Sequence, residues 1–222
     1  MRLEWGPQGV ALLGAECAVL VIVDVLSFTT SVDVAVGRGA TVVPQRLDDP
    51  VAPGAVSAGP RAGSGPSLRP SSLVGLPAGT RLALPSPNGA TLCTIAATTP
   101  AIVFAGCLRN AAAVAAAADA AAAGGPIGLV PAGERWPDET LRVAAEDVIG
   151  AGAIGAALTG RSPEAELAVV QFAAVRDRLP DVLAAVSSGR ELVADGYGAD
   201  VVLAADLDVS TAAPRLRGGV LA

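Results

Sequence analysis

The hydrophobic residues of the chain fall into short continuous runs, each bounded by turn residues. Runs of this kind, without polar alternation, are typical of strands that are buried on both faces of a sheet. The pattern predicts six strands, at residues 19–23, 40–43, 81–84, 101–105, 127–130 and 201–204.

Helical patterns separate most of these runs, at residues 29–36, 90–97, 110–123 and 140–158, and a further helical block covers 163–189. The stretch after Asn110 is almost entirely alanine, which has the highest helix propensity, and Asn110 is a suitable N-cap. Strands and helices in alternation build parallel β-α units. The sequence therefore predicts an α/β fold with helices against the faces of its sheet.

The stretch 48–79 departs from this pattern because it is crowded with proline, glycine, serine and alanine. We expect a long surface excursion there, with a short strand near residues 55–58. Nothing in the sequence forces a domain boundary, so residues 1–222 are predicted to form a single domain.

Polar residues follow four of the predicted strands, at the end where α/β sheets bind ligands. They are Asp24 with Ser27, Thr29 and Thr30; Asn88 with Gly89; Arg109 with Asn110; and Glu134 with Arg135. Helix starts at such turns present backbone N–H groups that bind phosphate or other anions. Each serine, threonine or asparagine taken singly is also an ordinary helix cap, so the prediction depends on the turns converging on one crevice.

The composition limits which catalytic groups the chain can use. Its fifteen basic residues are all arginine, and it has no lysine and no histidine. An imidazole base, a lysine Schiff base and a histidine-bound metal are excluded. The net charge of −6 with scattered arginines argues against nucleic acid and membrane partners. The sequence shows no signal peptide or apolar span and predicts a cytoplasmic protein, and it leaves a homo-oligomer open.

Carboxylates remain as the reactive groups. Asp24 directly ends an apolar strand, where a buried charge needs a nearby cation. Asp147 shares its helix face with small apolar residues, whereas Glu146 points about 100° away, towards Arg142, as a surface ion pair or a residue behind the site. Oxygen ligands such as Asp24, Glu134 and Asp147 suit Mg²⁺.

The three cysteines lack the spacing of a zinc site or a disulfide framework and are predicted to serve packing.

An Asp-x-Asp-x-Ser run at 206–210 imitates the nucleophile motif of haloacid-dehalogenase phosphatases. That fold needs most of its domain after the motif, and only a short tail follows Ser210 here. We therefore interpret Asp206 and Asp208 as strand-end residues.

Several short motifs, in order along nearly the whole chain, resemble the 2-phosphosulfolactate phosphatase family, Mg²⁺-dependent enzymes named for a step in coenzyme M biosynthesis. The motifs are Leu-Glu-Trp-Gly at 3–6, Asp-Val-Leu at 24–26, Ser-Pro-Asn-Gly at 86–89, Gly-Cys-Leu-Arg-Asn-Ala at 106–111, Pro-Ala-Gly-Glu at 131–134, Glu-Asp-Val-Ile-Gly-Ala-Gly-Ala at 146–153 and Ser-Gly-Arg-Glu-Leu at 188–192. The resemblance implies a three-layer α/β/α fold with a mostly parallel or mixed sheet. It also implies hydrolysis of a phosphate monoester whose acid carries carboxylate and sulfonate groups.

The family pattern usually continues Asp-Val-Leu with Arg-Ala, where this chain has Ser27 and Phe28. A related 2-phospho acid is therefore an alternative substrate to 2-phosphosulfolactate. A phosphoanion-binding protein that has lost turnover is the alternative function.

The predicted mechanism is metal-assisted ester hydrolysis, with Mg²⁺ on Asp24, Glu134 and Asp147. Asp24 and Asp147 are the predicted catalytic carboxylates, with Asp24 as the general base or the phosphoryl acceptor. Arg109 would neutralise the phosphoryl oxygens. The substrate-binding candidates are Ser27, Thr29, Thr30, Asn88, Gly89, Asn110, Arg135 and Arg190.

Overall fold

The structure is a computed structural model that describes all residues from 1 to 222. Its main sheet contains nine strands. They are β1 (Arg2–Leu3), β2 (Val19–Val23), β3 (Thr41–Gln45), β4 (Val56–Ser57), β5 (Arg81–Pro85), β6 (Ile102–Gly106), β7 (Ile127–Pro131), β10 (Arg215–Arg217) and β11 (Val220–Leu221). A separate two-stranded sheet consists of β8 (Glu134–Arg135) and β9 (Leu141–Arg142).

The main sheet has the order β1-β7-β2-β6-β10-β11-β3-β5-β4. Its first four strands are parallel to one another, with β2 in the middle between β7 and β6. Strands β3, β5 and β4 form a second parallel group. The C-terminal hairpin of β10 and β11 joins the two groups through antiparallel pairs. The sheet is therefore mixed and mostly parallel.

The helices follow the strands in alternation over the first two thirds of the chain and then form a continuous helical block. They are α1 (Gly6–Glu16), α2 (Phe28–Gly37), α3 (Gly89–Ala96), α4 (Ala111–Ala122), α5 (Ala145–Ala156), α6 (Pro163–Val175), α7 (Leu179–Ala185), α8 (Ser187–Ala194) and α9 (Gly198–Ala204). None of them combines the length and the apolar character that crossing a membrane requires.

Two hydrophobic cores lie on opposite faces of the sheet, and β2 contributes to both. Val19, Val21 and Val23 pack in one core with α4, α5 and α6. Leu20 and Ile22 pack in the other with α1, α2 and α3. This alternation follows from the two-residue period of a strand and produces three layers. The predicted α/β fold is confirmed.

Five of the six predicted strands are confirmed, and β4 lies within the range predicted for a short strand in the 48–79 excursion. The strand predicted at 201–204 is wrong, because these residues belong to α9. Val201 and Ala204 are buried whereas Val202 is exposed, which is the spacing of a helix. A short apolar run does not distinguish the two structures by itself.

The strand pairing at the C-terminus was not predicted. A turn of Gly218 and Gly219, both with positive φ, joins β10 to β11. A Gly-Gly pair between two short strand-like runs indicates a hairpin. Here the arginines at 215 and 217 interrupt the apolar pattern of the first run, so no strand was predicted. The helix predicted at 140–158 is also shorter than expected, because β9 occupies its beginning and α5 starts at Ala145.

Helices α5 and α6 pack closely because glycine and alanine line their contact. A Cβ atom added at Gly152 would lie 2.8 Å from Cβ of Phe172 and closer still to the carbonyl oxygen of Ala168. Backbone cannot yield as a flexible side chain can, so the two helices would have to separate.

We therefore expect Gly152→Ala to lower the free energy of unfolding by about 1–3 kcal/mol, the usual range for overpacking. Gly37→Ala is the matched control, because Gly37 is an exposed helical residue with open space around its Cβ position. Urea denaturation of both variants measures the difference. Equal stabilities would contradict the close helix contact.

Candidate active site

Asp24 lies at the carboxyl end of β2, with 5% of its surface exposed. Its Oδ1 accepts a hydrogen bond from the N–H of Phe28 at 3.2 Å, and its Oδ2 accepts one from the N–H of Gly89 at 2.7 Å. The carboxylate therefore connects the first residues of α2 and α3. A Cβ atom at position 89 would lie 2.7 Å from Oδ2 of Asp24, so only glycine allows this approach.

Asp147 likewise connects two other segments of the chain through backbone hydrogen bonds. It lies in the first turn of α5 and is 3% exposed. Its Oδ1 accepts a hydrogen bond from the N–H of Val25 at 2.7 Å, and its Oδ2 accepts one from the N–H of Gly133 at 2.8 Å. Asp147 thus joins α5 to the loops that follow β2 and β7.

Glu134 and Asn88 meet beside these aspartates. The Nδ2 of Asn88 donates a hydrogen bond to Oε2 of Glu134 at 2.8 Å. Both residues line a cavity of about 350 Å³, together with Arg135 and Thr140. Because β5 is not a neighbour of β2 or β7, these contacts, and not strand adjacency, bring the loop after β5 to the site.

Glu146 is buried in the structure, with 2% of its surface exposed, which corrects the interpretation of Glu146 as a surface ion pair with Arg142. Arg142 instead forms an ion pair with Glu191, at 2.9 Å. The sequence feature that pointed to Glu146 as a site residue was its place in the first turn of α5. Acidic residues there are stabilised by the positive end of the helix dipole.

Together, Asp24, Glu134, Glu146 and Asp147 form what we call the carboxylate cluster. Burial is the main cause that raises the pKa of Asp24, Glu134 and Asp147, and for Glu134 the value reaches about 7. Repulsion from the other carboxylates raises these pKa values further. No arginine nitrogen lies within 4.0 Å of any carboxylate of the cluster. The negative charge of the cluster is therefore not balanced by a direct ion pair.

The cluster has the donor chemistry for a hard cation but does not arrange three ligands around one point. No group of three acidic or cysteine side chains has the geometry to hold a metal ion. Mg²⁺ commonly binds through one or two carboxylates, with waters and a substrate phosphate completing its shell. The oxygens of Asp24 and Asp147 retain a lone pair beyond the amide hydrogen bond that each accepts. The residues present therefore offer oxygen ligands of the kind that Mg²⁺ prefers, one or two at a time.

Arg109 lies in a different network. Its Nε donates to Oδ2 of Asp33 at 3.0 Å, and its Nη1 donates to Oδ2 of Asp206 at 2.9 Å and to the carbonyl oxygen of Leu203 at 3.0 Å. The side chain is therefore occupied by structural partners and lines a separate cavity of about 560 Å³ with Asp33 and Ser210.

Ser27 is buried at the end of the loop between β2 and α2, and Thr29 and Thr30 are buried in the first turn of α2. The Thr29 hydroxyl donates to the carbonyl oxygen of Asp24 at 2.7 Å, and the Thr30 hydroxyl donates to that of Val25 at 2.8 Å. These hydrogen bonds fix the loop that carries Asp24. Ser27 is the member of the set whose hydroxyl accepts a hydrogen bond from a charged side chain, as described below.

The remaining predicted residues are not all in the same place. Arg135 lines the cavity of Glu134, and its Nη2 donates to the carbonyl oxygen of Pro87 at 3.4 Å. Asn110 is fully buried, and its Oδ1 accepts from the N–H of Cys107 at 2.9 Å. Arg190 lies on α8 and binds the carbonyl oxygen of Ala185, on the wall of a second cavity that includes Glu146.

The cysteines do not provide a nucleophile. All three are free and buried. Burial raises the pKa of the Cys107 thiol to about 12, and it also raises the pKa of Cys93. A thiolate is therefore not available at neutral pH.

The fold and the site define an α/β protein with a buried acidic crevice where strand ends and helix N-termini meet. A comparison with family profiles matches residues 69–219 to the family described as 2-phosphosulpholactate phosphatase. The match covers more than half of the chain, and the chain belongs to this family, which is a family of phosphatases. The resemblance seen in the sequence and the predicted hydrolase class are thereby confirmed. Comparison with curated proteins gives no significant match.

The raised pKa of Glu134 makes stability depend on pH. The folded protein keeps a proton on Glu134 up to about pH 7, whereas a glutamate in the unfolded chain loses its proton near pH 4.5. The folded state binds more protons in this window, so the free energy of unfolding falls as the pH rises through it.

We expect a loss of about 2–3 kcal/mol between pH 5 and pH 8 in metal-free wild-type protein relative to Glu134→Gln, which lacks this ionisation. Urea denaturation at several pH values measures it. Parallel pH profiles of the two proteins would contradict the burial of an ionisable Glu134 in the carboxylate cluster.

Proposed function

We propose that the protein is a Mg²⁺-dependent phosphatase that hydrolyses the phosphate monoester of a small 2-hydroxy acid, with 2-phosphosulfolactate as its substrate. The observation that carries the proposal is the carboxylate cluster, which is buried without a direct ion pair. A cation beside the cluster would favour its ionised form, and a phosphorylated acid would bring further negative charge to that cation.

The charge of the cluster supports a divalent ion in particular. Burial and repulsion from neighbouring carboxylates both disfavour the ionised forms of Asp24, Glu134 and Asp147, whose pKa values are raised. The sequence-derived ligands Asp24, Glu134 and Asp147, joined by Glu146, offer only oxygen atoms, which Mg²⁺ prefers. Bound there, Mg²⁺ would offset the negative charge and polarise the phosphoryl group.

Backbone groups of the chain position the carboxylate that would react. Hydrogen bonds from Phe28 and Gly89 orient the Asp24 carboxylate at the end of β2. In this position Asp24 acts as the base that takes a proton from water, or as the phosphoryl acceptor. Both roles need the ionised form, which a neighbouring cation favours.

The cavity beside Glu134 provides room for the acid part of the substrate. Asn88, Arg135 and Thr140 line it beside two carboxylates, Glu134 and Glu139, so neutral hydrogen-bond donors and one arginine, which pairs loosely with Glu139 at 3.8 Å, face it. A guanidinium group suits carboxylate and sulfonate oxygens. The proposal of a 2-phosphorylated acid is consistent with these groups on one side and the carboxylate cluster on the other.

Release of inorganic phosphate from 2-phosphosulfolactate and from 2-phospholactate, with and without Mg²⁺, tests the proposal. We expect release to require Mg²⁺ and to be fastest with 2-phosphosulfolactate. Glu134→Gln should lower kcat/KM by about ten- to a hundredfold, because it removes a carboxylate that would hold the metal ion. Glu4→Gln, at an exposed position on the first segment of the chain, is the matched control and should retain wild-type turnover.

A stability measurement accompanies the assay. Mg²⁺ should raise the melting temperature of the wild type more than that of Glu134→Gln, since binding to the folded state alone is stabilising. Phosphate binding without release from either ester would instead support a phosphoanion-binding protein. Equal Mg²⁺-dependent turnover in wild type and Glu134→Gln would remove Glu134 from the site.

A further inference from the structure

Arg61 reaches the site from the loop-rich excursion between β3 and β5. Its Nη2 donates to the hydroxyl of Ser27, with the two atoms 3.4 Å apart. Ser27 is separated by only two residues from Asp24, so the guanidinium lies next to the loop that follows Asp24, one member of the carboxylate cluster. Asp24 and Glu134 are among the charges that act on Arg61.

The guanidinium of Arg61 is incompletely bound. Its Nη1 is buried and has no hydrogen-bond partner. No carboxylate oxygen lies within 4.0 Å of its nitrogens, in contrast to the ion pairs of Arg69, Arg109 and Arg142. A buried donor on a charged group that finds no acceptor is costly, because water has been removed and nothing replaces it.

Neighbouring residues fix Arg61 in this position through its backbone. The Nη1 of Arg69 donates to the carbonyl oxygen of Arg61 at 3.1 Å. Arg69 in turn is held by Asp200 of α9, with Nε to Oδ2 at 3.3 Å, and its guanidinium lies 5.0 Å from the ring centre of Tyr197.

Asp200 also holds the excursion directly, because its Oδ1 accepts from the N–H of Ser71 at 2.8 Å. It is 1% exposed, and its contacts cross from the last helix of the chain to the loop. The position of Arg61 therefore does not depend on Ser27 alone.

We propose that Arg61 binds the phosphoryl oxygens of the substrate and that Arg69 and Asp200 are positioning residues that hold it for this contact. The planar guanidinium, with a free buried Nη1, is suited to a tetrahedral oxyanion, which would supply the missing acceptor. This inference rests on the proposed function for the identity of the ester, but its anion-binding part can be measured without turnover.

Titration calorimetry with inorganic phosphate, in the presence of Mg²⁺, tests the role of Arg61. Arg61→Gln should weaken phosphate binding by about ten- to a hundredfold, the effect of losing a hydrogen bond to a charged group. Arg61→Lys, which keeps the charge and loses the planar fork, should have intermediate affinity. Arg81→Gln is the matched control, because Arg81 is an exposed arginine at the start of β5, and its affinity should equal that of the wild type.

A double-mutant cycle tests the positioning residues. Asp200→Asn should weaken phosphate binding in the wild-type background and have little further effect in the Arg61→Gln background, because it acts through Arg61. A general structural role of Asp200 would give the same loss in both backgrounds and would contradict the assignment.

Chemical modification provides a measurement that needs no variant. Phenylglyoxal labels arginines that solvent reaches, so the half-buried Arg61 should be labelled in the free protein and protected by saturating phosphate with Mg²⁺, whereas Arg81 should be labelled in both, as read by mass spectrometry. Absence of protection at Arg61, or equal phosphate affinity of Arg61→Gln and Arg81→Gln, would overturn the inference.

The results separate this inference from the proposed function. Phosphate binding that depends on Arg61, in a protein that hydrolyses neither ester, would support the anion site and contradict the phosphatase proposal. Mg²⁺-dependent hydrolysis with phosphate affinity and KM unchanged in Arg61→Gln would support the phosphatase and overturn the role of Arg61.

Discussion

Two buried aspartates determine how the crevice is built. Asp24 and Asp147 each accept two backbone N–H hydrogen bonds, and one donor of each pair is distant in the sequence, Gly89 for Asp24 and Val25 for Asp147. Hydrogen bonds to an ionised group contribute about 1.5–3 kcal/mol each, so two of them offset much of the cost of burying a carboxylate. They do not neutralise its charge. The same contacts that close the loops therefore leave an acidic centre.

The packing of small residues allows these segments to approach one another. Gly89 meets Asp24 without a side chain between them, and Gly152 allows α5, the helix that carries Asp147, to lie against α6. The cores on both faces of β2 are filled by valine, leucine and alanine and contain few aromatic rings. Because such a core packs tightly, we expect the position of Asp24 to be held by the sheet and by both layers of helices.

Much of the fold could be predicted from the sequence, since continuous apolar runs mark β2, β3, β5, β6 and β7 and alanine marks α4. The apolar run at 201–204 was wrongly predicted as a strand, because a buried strand and a buried helix show the same pattern over four residues. Asp24, Glu134 and Asp147 could be recognised from their place after strands or at a helix start. Arg61 could not, because it lies in an excursion without periodicity and reaches the site through tertiary contacts with Arg69 and Asp200.

The proposed function requires the carboxylate cluster to bind a divalent cation together with a phosphate group. A crystal structure of the protein soaked with Mn²⁺ and inorganic phosphate tests it most directly, because manganese is located by its anomalous signal. The account predicts one manganese ion bound by at least one of Asp24, Glu134, Glu146 and Asp147, with a phosphate oxygen on the same ion. Manganese bound only elsewhere, with the cluster in contact with water alone, would contradict it.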